Sequence, residues 1–369
     1  MNTRFLIVSI VLFIIILVSE YVAYASLHYA GIIKSSKLEV LLMLLGVILP
    51  IIFIYSMLYS YKHYSLFNSW INSISSVWLG IILYVFIASL IVFLLIMLNL
   101  YFDLQIPIKI ISNILLVFII SLITYGVINA SNPRIVRWTV VSEKLSQNWS
   151  DKKIVIISDV HLGSIRKEGF LKKIISKIEN ENPDVVFILG DLIDGPSFPY
   201  EKWFKEFSVL KPQFGILYVE GNHEKYSQEY DKFKSQLPSS INNLTDKKVI
   251  INNTQIIGLD YKESKSPDEI NKELEYLRYD KNQPSIILMH DPKNTEDLSK
   301  MEVSLVLSGH THSGQFFPFT TLVNSIYKKY SHGVSYTDKT ASLTSAGVGT
   351  SIIPIRIETT PEIIVLKIK

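Results

Sequence analysis

Long apolar runs fill the first third of the chain, and short ones punctuate the rest. Near residues 5–27, 38–60, 76–100 and 107–129 the runs are nearly unbroken by charge. A hydrocarbon core about 30 Å thick takes roughly 20 helical residues to cross. The pattern therefore predicts an all-α region of four transmembrane helices within residues 1–132. The first run, RFLIVSIVLFIIILVSEYVAY, is too long for the apolar part of a signal peptide, and no small-residue cleavage site follows, which marks a retained anchor. Tyr24, Tyr59, Tyr61, Trp70 and Tyr101 stand at or near run ends, where amphipathic rings favour the headgroup level.

After residue 130 the pattern changes. Residues 133–152 are polar and open on Pro133, as a linker would, and from 153 to 369 short aliphatic runs alternate with helix-spaced stretches. IVIISD (154–159), VVFILGD (185–191), ILYVEGNH (216–223), SIILMH (285–290) and LVLSGH (305–310) predict buried strands. Each is rich in β-branched or large aliphatic side chains and is bounded by Gly, Asp, Asn or His. Between the first two, Phe170, Leu171, Ile174, Ile175 and Ile178 recur at helical spacing and Pro183 follows. Strand, helix, strand implies a parallel pair and an α/β architecture.

Composition sharpens this picture. Hydrophobic residues make up 49% of the chain and mean hydropathy is +0.29, too apolar for an ordinary soluble enzyme. The formal net charge of +3 is small for 369 residues, so no nucleic acid is expected as a partner. The lack of cysteine excludes disulfides, thiolate zinc sites and cysteine nucleophiles, leaving any metal to His, Asp, Glu and Asn. With four spans, the flanks on one side carry Arg4, Lys62, Arg134, Arg137 and Lys144, and the opposite loops carry Lys34, Lys37 and Lys109. The positive-inside rule then places the C-terminal part in the cytoplasm, on a multi-pass protein of the cell membrane.

All five predicted strands end in a group able to bind a divalent cation, and open α/β sheets place ligands beyond the carboxyl ends of their strands. The first gives Asp159 and His161, the second Asp191, the third Asn222 and His223, the fourth His290, and the fifth His310 and His312. Gly190, Gly221 and Gly309 allow the unusual angles or close approach that convergence requires. Carboxylates, a carboxamide and several imidazoles make a mixed environment suited to Mn²⁺, Fe²⁺ or Zn²⁺ and rich in nitrogen for Mg²⁺ or Ca²⁺. The set is too large for one tetrahedral ion. Two ions about 3.5–4 Å apart, sharing a carboxylate and a bridging hydroxide, would use it fully, which is the geometry of two-metal phosphoryl hydrolysis with hydroxide as nucleophile.

The ordered motifs SDVHLG, GDLIDG, GNHE, LMHDP and GHTHSGQ resemble the calcineurin-like metallophosphoesterase superfamily over essentially everything after the membrane region. The resemblance implies a four-layer α/β/β/α sandwich with two divalent metals, Mn expected and Fe or Zn compatible, at its edge. It implies a first metal on Asp159, His161, Asp191 and His312, and a second on Asp191, Asn222, His290 and His310, with Asp191 as the bridge. His223 matches the family histidine that contacts the substrate phosphate and serves as general acid. Asp194 reads as a brace for its loop, and Glu224 and Asp291 as acceptors that orient imidazoles. Asn243, Tyr261 and Arg356 have no spacing that places them, and His332 reads as structural or exposed.

One departure narrows the function. The protein serine/threonine phosphatase branch has arginine where GDLIDGP has Gly195, which disfavours protein dephosphorylation. The tail SAGVGTSIIPIRIETTPEIIVLKI looks like bacterial membrane-associated phosphodiesterases related to enzymes that cleave UDP-2,3-diacylglucosamine. The expected substrate is a phosphorylated small molecule or a lipid-linked phosphodiester or pyrophosphate, met at a lipid bilayer. A rival reading is a membrane sensor or regulator that binds a phosphorylated ligand at the metal site without turnover. The complete ligand set together with His223 favours the enzyme.

Overall fold

The computed structural model describes residues 36–60, 65–194, 198–227, 230–262 and 266–369, with isolated positions between 16 and 31. Apart from those positions, the predicted span 5–27 lies outside the described residues, as does Gly195. The chain divides into two compact units, Met1–Ile128 with Ile352–Ile355, and Asn129–Ser351 with Arg356–Lys369.

The first unit contains the helices Ser36–Ser60, Leu66–Phe102 and Ile108–Ala130. Among the described residues, the second and third are long and apolar enough to cross a membrane, and Leu44–Tyr59 is a shorter apolar stretch. Four transmembrane helices were expected. Leu66–Phe102 begins ten residues before the predicted run, because its first turns bury a polar stripe that hydropathy does not register. Asn68, Ser69, Asn72, Ser75 and Ser76 are all buried there. Asn68 Nδ2 donates to the Ser56 carbonyl at 3.1 Å, joining this helix to its predecessor through small polar contacts that permit close approach.

The second unit is built on two six-stranded mixed sheets. In the first sheet, β1 (Arg134–Val140) lies parallel to β14 (Glu362–Ile368), and β14 antiparallel to β2 (Ile154–Ile157). From β2 the order runs in parallel through β4 (Val185–Leu189), β6 (Ile216–Val219) and β7 (Ile241–Asn243). In the second, β9 (Thr254–Gly258), β10 (Ser285–Leu288), β11 (Leu305–Ser308) and β13 (Thr340–Thr344) are parallel neighbours. Antiparallel β8 (Lys247–Ile251) and β12 (Gly333–Thr337) form its edges. β3 (Leu162–Gly163) and β5 (Ile193–Asp194) pair just beyond β2 and β4.

Side chains alternate across a strand, and here both faces are apolar. Ile154, Ile156, Phe187 and Leu217 of the first sheet share one core with Ile256, Ile286, Leu305 and Leu343 of the second. On the other face of the second sheet, Ile257, Ile287 and Val306 pack with Ile270 and Leu274 of the helix Pro267–Tyr276 and with Leu298 of the helix Thr295–Lys300. Each fully buried aliphatic side chain contributes about 1.5–3 kcal/mol, so the strands from which the candidate site projects are firmly held. The helix predicted from Phe170 to Ile178 spans Glu168–Glu181, with Leu171, Ile174, Ile175 and Ile178 buried.

Candidate metal centre

Each of β2, β4, β6, β10 and β11 stops shortly before its polar group, so the side chains sit on turns at the strands' carboxyl ends. Asp159, His161, Asp191, His310 and His312 all have positive φ, between 48° and 71°. Such conformations cost on the order of 1–3 kcal/mol per non-glycine residue and persist only where surrounding structure imposes them. Gly190, at φ 81°, also admits close approach: a Cβ there would lie 2.5 Å from His290 Nδ1. At Gly309 a Cβ would meet Ser158 Cβ at 2.6 Å and Asp159 Oδ2 at 2.7 Å, so this glycine keeps β11 close to the turn after β2.

These turns bring the seven predicted ligands together, six of them in two adjacent groups of three and Asn222 beside His290. Asp159, His161 and His312 form one, with His161 Nε2 3.0 Å from His312 Nε2 and His312 Nε2 3.5 Å from Asp159 Oδ1. Asp191, His290 and His310 form the other. In it, His290 Nε2 lies 3.1 Å from Asp191 Oδ2, 3.1 Å from Asn222 Oδ1 and 3.1 Å from His310 Nδ1. Asp191 Oδ2 is also 3.8 Å from His161 Nε2 and so stands between the groups. Neighbouring ligands of an ion with bonds of about 2.1 Å lie about 3 Å apart, and the donor spacings fit that requirement.

The electrostatics fit a cation as well. Burial pushes His161 and His310 down to about 4, and His312 well below its ordinary value, so these rings are neutral and offer the lone pairs that ligation needs. Burial also lowers His290, but Asp191 and Asp159 outweigh it and hold that ring at about 10. Positive charge is thus favoured at the point where two buried carboxylates converge. The Nδ1–H of His290 donates to the Leu189 carbonyl at 2.8 Å, which leaves Nε2 to face the carboxylates.

His223 borders the same centre, its Nε2 3.9 Å from Asp191 Oδ2 and its ring in edge contact with His161. Its Nδ1 donates to Asp194 Oδ1 at 3.0 Å. Burial depresses the ring, yet Asp191 and the bond to Asp194 raise it to about 10, which favours the protonated form. Asp194, read from sequence as a loop brace, therefore holds the candidate general acid. Only its place in GDLIDG, three residues past Asp191, could have signalled it.

Other supporting residues also differ from expectation. Glu224 orients no imidazole: its carboxylate accepts the backbone N–H groups of Asp191, Ile193 and Gly221 at 2.8–3.0 Å. Asp291 Oδ2 is 3.8 Å from His310 Nε2, beyond hydrogen-bond reach, and Oδ1 accepts the Lys293 N–H. Asn243 donates to Glu220, and His332 lies 3.0 Å from Glu362, while the Tyr261 ring stands about 6 Å from those of His290 and His310. Arg356, which sequence could not place, is fully buried with Nη2 3.1 Å from His312 Nδ1.

Residues 152–314 match the calcineurin-like phosphoesterase family. A metallophosphoesterase of Aquifex aeolicus is 30% identical over 241 residues, covering 64% of this chain and 92% of that protein. One from Helicobacter pylori is 32% identical over 246 residues, 64% of each chain. A Danio rerio transmembrane protein with metallophosphoesterase domain is 30% identical over 265 residues, 67% of this chain and 60% of that one. A dimetal phosphatase structure from Danio rerio aligns at 13% identity with a TM-score of 0.32, over 55% of this chain and 88% of that one. The chain thus spans about three fifths of the Helicobacter and zebrafish relatives' length. It belongs to the calcineurin-like metallophosphoesterases, a family of metal-dependent phosphoesterases.

Proposed function

We propose that this chain is a membrane-anchored, dinuclear metal-dependent phosphoesterase that hydrolyses a phosphodiester or pyrophosphate bond in a small-molecule or lipid-linked substrate. The observation that carries the reading is the convergence of seven ligand-type side chains in two groups around Asp191, with the His223–Asp194 pair beside them. In this reading Asp159, His161, Asp191 and His312 hold one ion, and Asp191, Asn222, His290 and His310 the other. Two divalent ions held there, Mn²⁺ by expectation, would supply Lewis acidity and lower the pKa of water. His223, protonated and held by Asp194, contacts the phosphate and delivers a proton to the leaving oxygen.

The domain assignment follows the same reading: a four-helix transmembrane region over 1–132, a linker and entry segment over 133–152 that contributes the edge strand β1, and a four-layer catalytic sandwich over 153–369. The zebrafish relative, named a transmembrane protein, supports the anchoring, as do the two membrane-length helices. The test is hydrolysis of bis-p-nitrophenyl phosphate by the purified full chain with Mn²⁺. Wild type turns over, Asp191→Asn does not, and His223→Ala loses about 10²–10⁴-fold in rate while keeping its metal. Equal rates for wild type and Asp191→Asn would sink the proposal, and loss of both ions from His223→Ala would refute the role given to that residue.

A further inference from the structure

The helix Phe319–Tyr327 follows the last candidate ligands and is turned the wrong way for a soluble domain. Its one buried residue is polar, Thr320, whose hydroxyl donates to Glu358. Its large apolar side chains point outward instead: Phe319 is 42% exposed, Leu322 52% and Ile326 55%, with Phe317 just ahead at 44%. Positions 319, 322 and 326 share one helical face, so these residues form a stripe. Other exposed hydrophobics of this unit, such as Val141, Val209 and Ile250, are far from one another in sequence. A clustered apolar stripe marks an interaction surface.

The neighbourhood identifies the partner. No Asp or Glu occurs between Glu302 and Asp338, and Lys328 and Lys329 close the helix, so its C-terminal end is cationic, while exposed Glu358 borders its N-terminal end at Thr320. An apolar face bordered by lysine suits the headgroup region of a bilayer containing anionic lipid. The same chain carries two membrane-length helices, so a bilayer is always within reach. The helix also abuts the candidate centre, its last residue, Tyr327, having its ring 6.3 Å from that of His310.

We propose that Phe317 and the helix Phe319–Tyr327 form a bilayer-docking surface that seats the catalytic unit on the lipid headgroups, bringing the metal centre to phosphates at that level. The inference rests on the membrane-anchored reading above. Because the chain has no cysteine, Leu322→Cys and Ile326→Cys each give a single labelling site in the full-length protein. Each is labelled with an environment-sensitive fluorophore and reconstituted in phosphatidylcholine–phosphatidylglycerol vesicles, with Tyr276→Cys, at a 79% exposed position on another helix, as control. Doxyl-labelled phosphatidylcholine should quench both stripe labels several-fold more than the control. Co-flotation with vesicles but control-level quenching would overturn docking alone, and failure to float would overturn the anchored reading and docking together. Quenching that needs a second labelled copy rather than doxyl lipid would assign the surface to self-association and also overturn the proposal.

Discussion

Arg356 spends its donors on oxygen acceptors and on no carboxylate. Its guanidinium donates to the carbonyls of Ala346, Gly347, Gly349 and His312, and Nη2 lies 3.1 Å from His312 Nδ1. The bond to the His312 carbonyl and the 3.1 Å approach of Nη2 to Nδ1 hold the ring in place, with Nε2 left to face the first ligand group. The same loop presses on Asp159, since a Cβ at Gly347 would lie 2.8 Å from Asp159 Cβ. One cation thus ties together two members of the first ligand group. Replacing it leaves several buried carbonyls without a donor, a loss of about 1–3 kcal/mol for each that stays unsatisfied. Arg356→Gln should lower the first ion's occupancy while the second stays bound, as His312→Ala should, whereas His310→Ala should empty the second. Metal analysis with manganese paramagnetic resonance checks this: each variant should hold about one ion and show the spectrum of isolated Mn²⁺. Two coupled ions retained in Arg356→Gln would remove the residue from the site.

The strands were legible where burial on both faces forces an unbroken aliphatic run. VVFIL and SIIL can be little else, and their polar ends announced Asp191 and His290. β1 and β12 escaped notice because they are partly exposed and their composition is mixed, RIVRWTV and GVSYT. β14 is nearly all buried, yet its run EIIVLKI lies in the phosphodiesterase-like tail and carries no polar end of the kind that marks the site strands. The first turns of Leu66–Phe102 escaped for the opposite reason, since their buried face is polar. Seven ligand candidates were legible because metal binding selects residue types, while Asp194, Glu224 and Arg356 act through hydrogen bonds that only the fold brings within reach. Glu224 shows what such a contact does for whole elements, since its carboxylate links the turn after β4 to the turn after β6. Glu224→Ala strands three buried N–H groups, and even partial relaxation leaves a cost of about 3 kcal/mol. At about 2–4 °C per kcal/mol for a domain of this size, the catalytic unit's melting transition should fall by roughly 6–12 °C. A shift under about 2 °C would show that water or a rearranged turn replaces the carboxylate.

At the scale of the whole molecule, the orientation in the membrane determines which phosphoesters the centre can meet. Basic residues near span ends resist translocation. Lys62 precedes the helix Leu66–Phe102, and Arg134 and Arg137 follow Ile108–Ala130, so those flanks lie on one side if both helices cross. The short connection between them has no basic residue and opens on Asp103, with Lys109 in the first turn of the following helix. That parity holds with two spans or with four, because an even number of crossings separates the flanks only from the connection. On the membrane-anchored reading proposed above, this bias favours a cytoplasmic metal centre. Green fluorescent protein fused after Lys369 should fluoresce, and alkaline phosphatase fused at the same point should be inactive. An active alkaline phosphatase fusion would reverse the orientation and exchange cytoplasmic nucleotides and lipid precursors for envelope phosphoesters as the accessible substrates. Substituting Lys62, Arg134 and Arg137 together by Gln should shift the fusion signals toward the outside, since those charges hold both flanks in place.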